Sequence, residues 1–180
     1  MSKSLIKLID SSLLPAAIMI LGKVVGIFLT ARIFNLEWAL QSSSNNFISI
    51  RPVFEAADIV TVTTFSDLIM FSFLLVGLSF SLFIALYFRS SNIDPKIVAK
   101  LATNNLLNLI KDSFDIYLGG SMWIVFSWIA NITIFINVML NKTQLWVIVL
   151  TLVSSIAFTV LLFRDVVKEI EVSRKKLSEV

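Results

Sequence analysis

The stretch Leu13–Phe34, LLPAAIMILGKVVGIFLTARIF, decides how the chain is read. A helix needs about 20 apolar residues to cross a hydrocarbon core of about 30 Å, and this stretch meets that length. It nevertheless carries Lys23 near its middle and Arg32 near its end. A lone charge at the centre of a bilayer costs at least about 2.5–3.5 kcal/mol, so each cation calls for a partner or a purpose.

Working outward, further stretches have the same length and no charge: Leu68–Phe88, Met122–Leu140 and Gln144–Phe163. Lipid cannot hydrogen-bond an open backbone, so helices are the expected solution for all four spans. Composition agrees. The chain is 57% hydrophobic and 15% charged, against about 45–50% and about 25% in soluble domains, and its mean hydropathy is +0.91. The expectation is an all-α integral membrane protein, one membrane domain over residues 1–180. The first span is too long for a signal peptide, and ARIFNLEW beyond it offers no small-residue cleavage site.

Orientation follows from the cations. With both termini cytoplasmic, eleven of the fifteen Lys and Arg residues fall in inner segments. Only Arg51 and Lys142 fall outside, and Lys23 and Arg32 lie within the first span. The tail, residues 164–180, adds Arg164, Lys168, Arg174, Lys175 and Lys176 to the inner side.

The two long connections differ in kind. The outer loop, residues 35–67, opens with the polar run Gln41–Asn46 and continues with FISIRPVF (Phe47–Phe54) and DIVTVTTF (Asp58–Phe65). The β-branched residues of the last two suggest strands in a small hairpin turning at Glu55–Asp58. A helical or irregular cap is the alternative, because Pro52 and the short lengths weaken the strand pattern. The inner connection, residues 94–118, begins with Asp94-Pro95 and ends before Gly119-Gly120, which are helix start and stop signals. Between them, Val98, Ala102, Leu106, Ile110, Phe114 and Tyr117 fall on one half of a helical cylinder, with Lys, Asn and Asp residues on the other. This predicts a cytoplasmic amphipathic helix between the second and third spans, lying on the membrane or packed on the bundle.

Small residues recur at spacing four: Gly22, Gly26 and Thr30; Gly77, Ser81 and Ala85; Thr151, Ser155 and Thr159. Such ridges let membrane helices approach closely. Lys23 lies beside the first ridge, about 15 Å into its span and so near the midplane. There it would face into or beside the bundle, where Ser79, Ser127 and Asn131 lie at similar depth. Lys23, Ser79, Ser127 and Asn131 thus form a candidate intramembrane polar site. The competing reading is a lysine that snorkels or pairs with a partner subunit. Arg32 lies near the outer surface, level with Asp67 at the head of the second span, and an Arg32–Asp67 ion pair is expected to set the register of the first two spans. Trp123 and Trp146 sit near span ends, as interfacial anchors do.

No catalytic constellation emerges. Cysteine and histidine are both absent, which excludes disulfides, thiolate or histidine metal sites and histidine-based triads. No phosphate-cradling glycine loop is present, the serines lack a nucleophile-elbow context, and the net charge of +3 is unclustered, so neither a cofactor nor a nucleic acid is expected. The partners expected are the lipid bilayer and other membrane protein subunits, or further copies of the chain. The reading is a non-enzymatic scaffold or accessory subunit of a membrane assembly. A small transporter or channel component using Lys23 is the alternative.

Overall fold

The computed structural model describes residues 3–42, 50–87, 98, 102–103 and 113–178. Its main elements are α1 (Lys3–Ile33), β1 (Trp38–Ser42), β2 (Ile50–Phe54), α2 (Ile59–Tyr87), α3 (Ser113–Met139) and α4 (Leu145–Ser178). All four helices are long and apolar enough to cross a membrane, which makes the chain a multi-pass membrane protein. Helix α2 is central: it packs on α1, α3 and α4, while α3 also meets α1 and α4.

The ridges of small residues mark where helices touch. A side chain placed on Gly26 would put its Cβ 2.8 Å from the Ser66 Cα, and on Gly22 3.1 Å from the Met70 Cα. Only glycine permits α1 to lie this close to α2. Farther along α2, the ring of Trp123 fills the notch left by Gly77. Trp123 is only 7% exposed and joins Met70, Phe71, Leu74, Leu78, Ala130 and Ile134 in the core. It is a packing knob and not the expected interfacial anchor. Trp146, 44% exposed, keeps the exposure of one.

The second span begins earlier than the charge pattern indicates. DIVTVTTF does not form a strand; α2 starts at Ile59, its first turn opening with the Val62 amide donating to the Asp58 carbonyl. The β-branched run is helical because its buried members recur at helical spacing. Val62, Ser66 and Met70 stand four apart, and Thr64, Asp67 and Phe71 follow at three and four. Packing overrides the weak strand preference of valine and threonine. The hairpin exists, but it pairs β1 with β2 antiparallel, Trp38 opposite Phe54 and Leu40 opposite Pro52. Of the polar run, Gln41 and Ser42 belong to β1, and residues 43–46 lie outside the described residues.

Helix α3 runs straight through Gly119-Gly120. The pair does not end a helix, because Gly120 serves close packing: a Cβ there would lie 3.0 Å from Leu162. Most of the expected amphipathic helix lies outside the described residues. Val98, Ala102 and Thr103 are helical, and residues 113–118 form the first turns of α3.

Helices α1 and α3 end alike. Asn35 and Asn141 adopt left-handed backbone, with φ of 50° and 54°. Each sits at the residue after the cap, the next amide reaching back to the carbonyl five residues earlier: Leu36 to Ala31, and Lys142 to Asn137. Asparagine tolerates this conformation better than other residues with a side chain, and the bonds satisfy carbonyls that the helix end leaves open. The second of these caps turns the chain sharply from α3 into α4.

Candidate polar site at the end of the helix hairpin

Lys23 has a carboxylate partner, and it is Asp67. The Lys23 Nζ donates to Asp67 Oδ1 at 2.5 Å and to the Ser66 hydroxyl at 2.8 Å. Two donors converge on the other oxygen of Asp67: Asn137 Nδ2 at 3.0 Å and Thr143 Oγ1 at 2.6 Å. Ser66 passes its own proton to the Thr63 carbonyl, and the Gln144 amide donates to Thr64 Oγ1. The Asp67 side chain is fully buried, whereas that of Lys23 is 28% exposed.

Each contributor is delivered by a local rule. Gly22 and Gly26 flank Lys23 and bring α1 against the face of α2 that carries Ser66, so the lysine needs only its own length to reach Asp67. Asn137 accepts, through its carbonyl, the last bond of the α3 cap and spends its amide on Asp67. Thr143 follows directly from the left-handed Asn141, and the turn folds it onto α2. The short turn NKT therefore does more than join two spans: it closes the carboxylate off.

The expected Arg32–Asp67 pair is not formed. With α2 starting at Ile59, Asp67 lies eight residues inside the helix, about 12 Å from its end, which is the level of Lys23 and not of Arg32. Arg32 is exposed, and its side chain makes no ion pair among the described residues. Nor is Lys23 at the middle of the bundle, because its carboxylate is bonded to the turn that ends the α3–α4 hairpin.

The expected set of Lys23, Ser79, Ser127 and Asn131 is likewise not assembled. Ser79 is exposed, on the outer face of α2. Ser127 is buried and returns its proton to the Trp123 carbonyl. Asn131 donates to the Ser155 hydroxyl at 2.6 Å, linking α3 to α4, while its Oδ1 is buried without a partner. Asn131 lies six residues before Asn137, about 9 Å further along α3. Asn137, Thr143 and Ser66 complete the site without having been singled out. An available signal was Asp58, a capping residue just before an apolar run, which would have placed Asp67 inside the helix.

Beside Lys23 opens a cavity of about 530 Å³. Its lining comprises Ile27 of α1, Pro52, Val53 and Phe54 of β2, Ile59, Val62, Thr63 and Ser66 of α2, and Asn137 and Lys142. At the opposite end of the bundle a second polar group ties the helices together. Lys7 pairs with Asp115 at 2.9 Å, Ser113 donates to Glu169, and the Tyr117 hydroxyl reaches Asp165.

No family model, curated protein or solved structure matches the chain.

Proposed function

We propose that the chain is a non-enzymatic integral membrane protein, a scaffold or accessory subunit of a membrane assembly, with both termini in the cytoplasm. The observation that carries this reading is how the buried charge is used. The Asp67 carboxylate receives three protein donors from α1, α3 and the α3–α4 turn. A charge held in this way locks helices together and supports a fixed bundle. What the bundle then presents is a broad apolar outer surface, including Ile20, Val76, Phe80, Ile132 and Val153, each at least 60% exposed.

The transporter or channel reading draws on one observation, the partial exposure of Lys23 to the cavity. It would require the ammonium to let go of Asp67 in each cycle. The tightness of the network favours the scaffold. The part of the amphipathic sequence pattern ahead of α3 then serves as a membrane-surface linker between the second and third spans.

Isolation in a mild detergent, followed by identification of co-purifying chains, tests the assignment. A defined membrane partner, or a defined homo-oligomer, is the expected result. A monomer that conducts ions or solute in vesicles, and stops when Lys23 is replaced by Met, would overturn it. Orientation is read separately with single cysteines, since the chain has none. A cysteine at Ser43 is expected to react with an impermeant reagent from outside, and one at Ser173 only after permeabilisation.

A further inference from the structure

We infer that the cavity between β2 and the first turns of α2 is a binding site for an anionic phospholipid. The inference does not depend on the scaffold reading, nor on which side of the membrane the site faces. It rests on the chemistry of the walls and on their place in the fold.

The walls are divided. Ile27, Val53, Phe54, Ile59 and Val62 give an apolar lining, and the two charged groups are both lysines. Asp67 is paired with Lys23, and its side chain is fully buried. An ammonium has three donors; Lys23 gives one to Ser66 and one to Asp67, which leaves a third for a ligand in the cavity. Lys142 makes no side-chain hydrogen bond or ion pair among the described residues. The volume, about 530 Å³, falls within the range of about 300–1,000 Å³ typical of small-ligand sites.

A largely apolar cavity whose charged lining is two lysines matches an amphiphile that carries a negative head. The position selects which one. Lys142 lies in the turn that ends the α3–α4 hairpin, where two apolar helices meet the polar layer and where phosphate groups of lipids are concentrated. Strand β2 supplies one wall through Pro52, Val53 and Phe54, beside which the head of such a lipid would sit with its chains along α1 and α2. Phosphate is the group that a pair of lysines of this kind recognises, as point charges without the planar demand of a carboxylate fork.

The full chain, reconstituted in vesicles of equal phosphatidylglycerol and phosphatidylcholine, is released into the gas phase and its retained lipids are weighed by mass spectrometry. Phosphatidylglycerol is expected to be retained about fivefold over phosphatidylcholine, the factor that one lysine at a membrane surface supplies. Lys142→Gln should bring the ratio close to one with an unchanged thermal midpoint, because Lys142 is outside the Lys23–Asp67 network. Val53→Trp, which fills the cavity from an exposed strand position, should lower retention of both lipids. Arg32→Gln removes an exposed cation at the end of α1 that does not line the cavity and should leave the ratio intact. The inference fails if the wild type shows no preference, or if Arg32→Gln lowers the ratio as much as Lys142→Gln. Displacement of phosphatidylglycerol by sodium palmitate, with palmitate retained in its place, would equally overturn it in favour of a fatty-acid site.

Discussion

Among the described residues the molecule holds two lysine–aspartate pairs, and they differ in almost every respect but chemistry. Lys7–Asp115 joins the start of α1 to the start of α3, with side chains 57% and 39% exposed. Lys23–Asp67 joins the second half of α1 to α2, with an aspartate fully buried and two further donors on its second oxygen. The exposed pair is screened by water and salt and contributes about 0–1 kcal/mol. The buried one has given up its water, so its worth lies in what would follow if either partner were removed. Two pairs of the same composition therefore do different work: one trims the end of the bundle, and the other makes the bundle sensitive to the loss of either partner alone.

The contrast can be broken most directly at Asp67. Asp67→Ala leaves Lys23 without its counter-charge and orphans Asn137 and Thr143. A loss of about 3–5 kcal/mol is expected in detergent unfolding. The double variant Lys23→Met, Asp67→Leu deletes both charges and should recover much of that loss. If the double variant is as unstable as the sum of the singles, the two residues are not coupled and the site as described is wrong.

A smaller effect is expected at Gly26, which sets the distance between the partners without touching either charge. Gly26→Val forces the side chain against the Ser66 backbone, 2.8 Å from the new Cβ. Overpacking of this kind costs about 1–3 kcal/mol. Because it pushes α2 away from Lys23, the penalty should shrink in the charge-deleted double variant, and thermal unfolding of the triple variant measures this directly. The smallest effect belongs to the exposed pair. Lys7→Ala should change stability by no more than about 0.5 kcal/mol, and the change should vanish in high salt. A larger, salt-resistant loss would show that the two pairs are more alike than their burial indicates.

What could be read without coordinates was whatever has a period or a length. The four spans follow from apolar runs, and the helix contacts follow from glycines and hydroxyl residues at spacing four, as Gly22, Gly26 and Thr151 bear out. That Lys23 needs a partner was equally legible, from the cost of a lone charge in lipid. Its identity was not, because charge was used to mark where spans begin. A second span that starts after Asp67 puts that residue at the surface, level with Arg32. Once the helix is extended to Ile59, Asp67 falls opposite Lys23. Glycine misled in the other direction: Gly119-Gly120 has the chemistry of a helix stop, but Leu162 packs against it and the helix continues. Trp123 resembles an anchor by position alone, and only the notch at Gly77 explains why it is buried. Asn137 and Thr143 have no local signature, since their roles depend on a turn that folds back onto a helix about 70 residues earlier in the chain.

The closeness of Lys23 and Asp67 also bears on how the chain enters the membrane during synthesis. Helices α1 and α2 are consecutive elements, so both are made before α3 and α4 exist. Each carries a charge that would resist entry alone. Entering together as a hairpin, the two charges meet at one level and cancel, and the pair crosses with no net charge. The order of elements along the chain thus places the two halves of the ion pair in the same insertion step. The α3–α4 hairpin arrives later, its turn seating Asn137 and Thr143 on a carboxylate already held by its lysine.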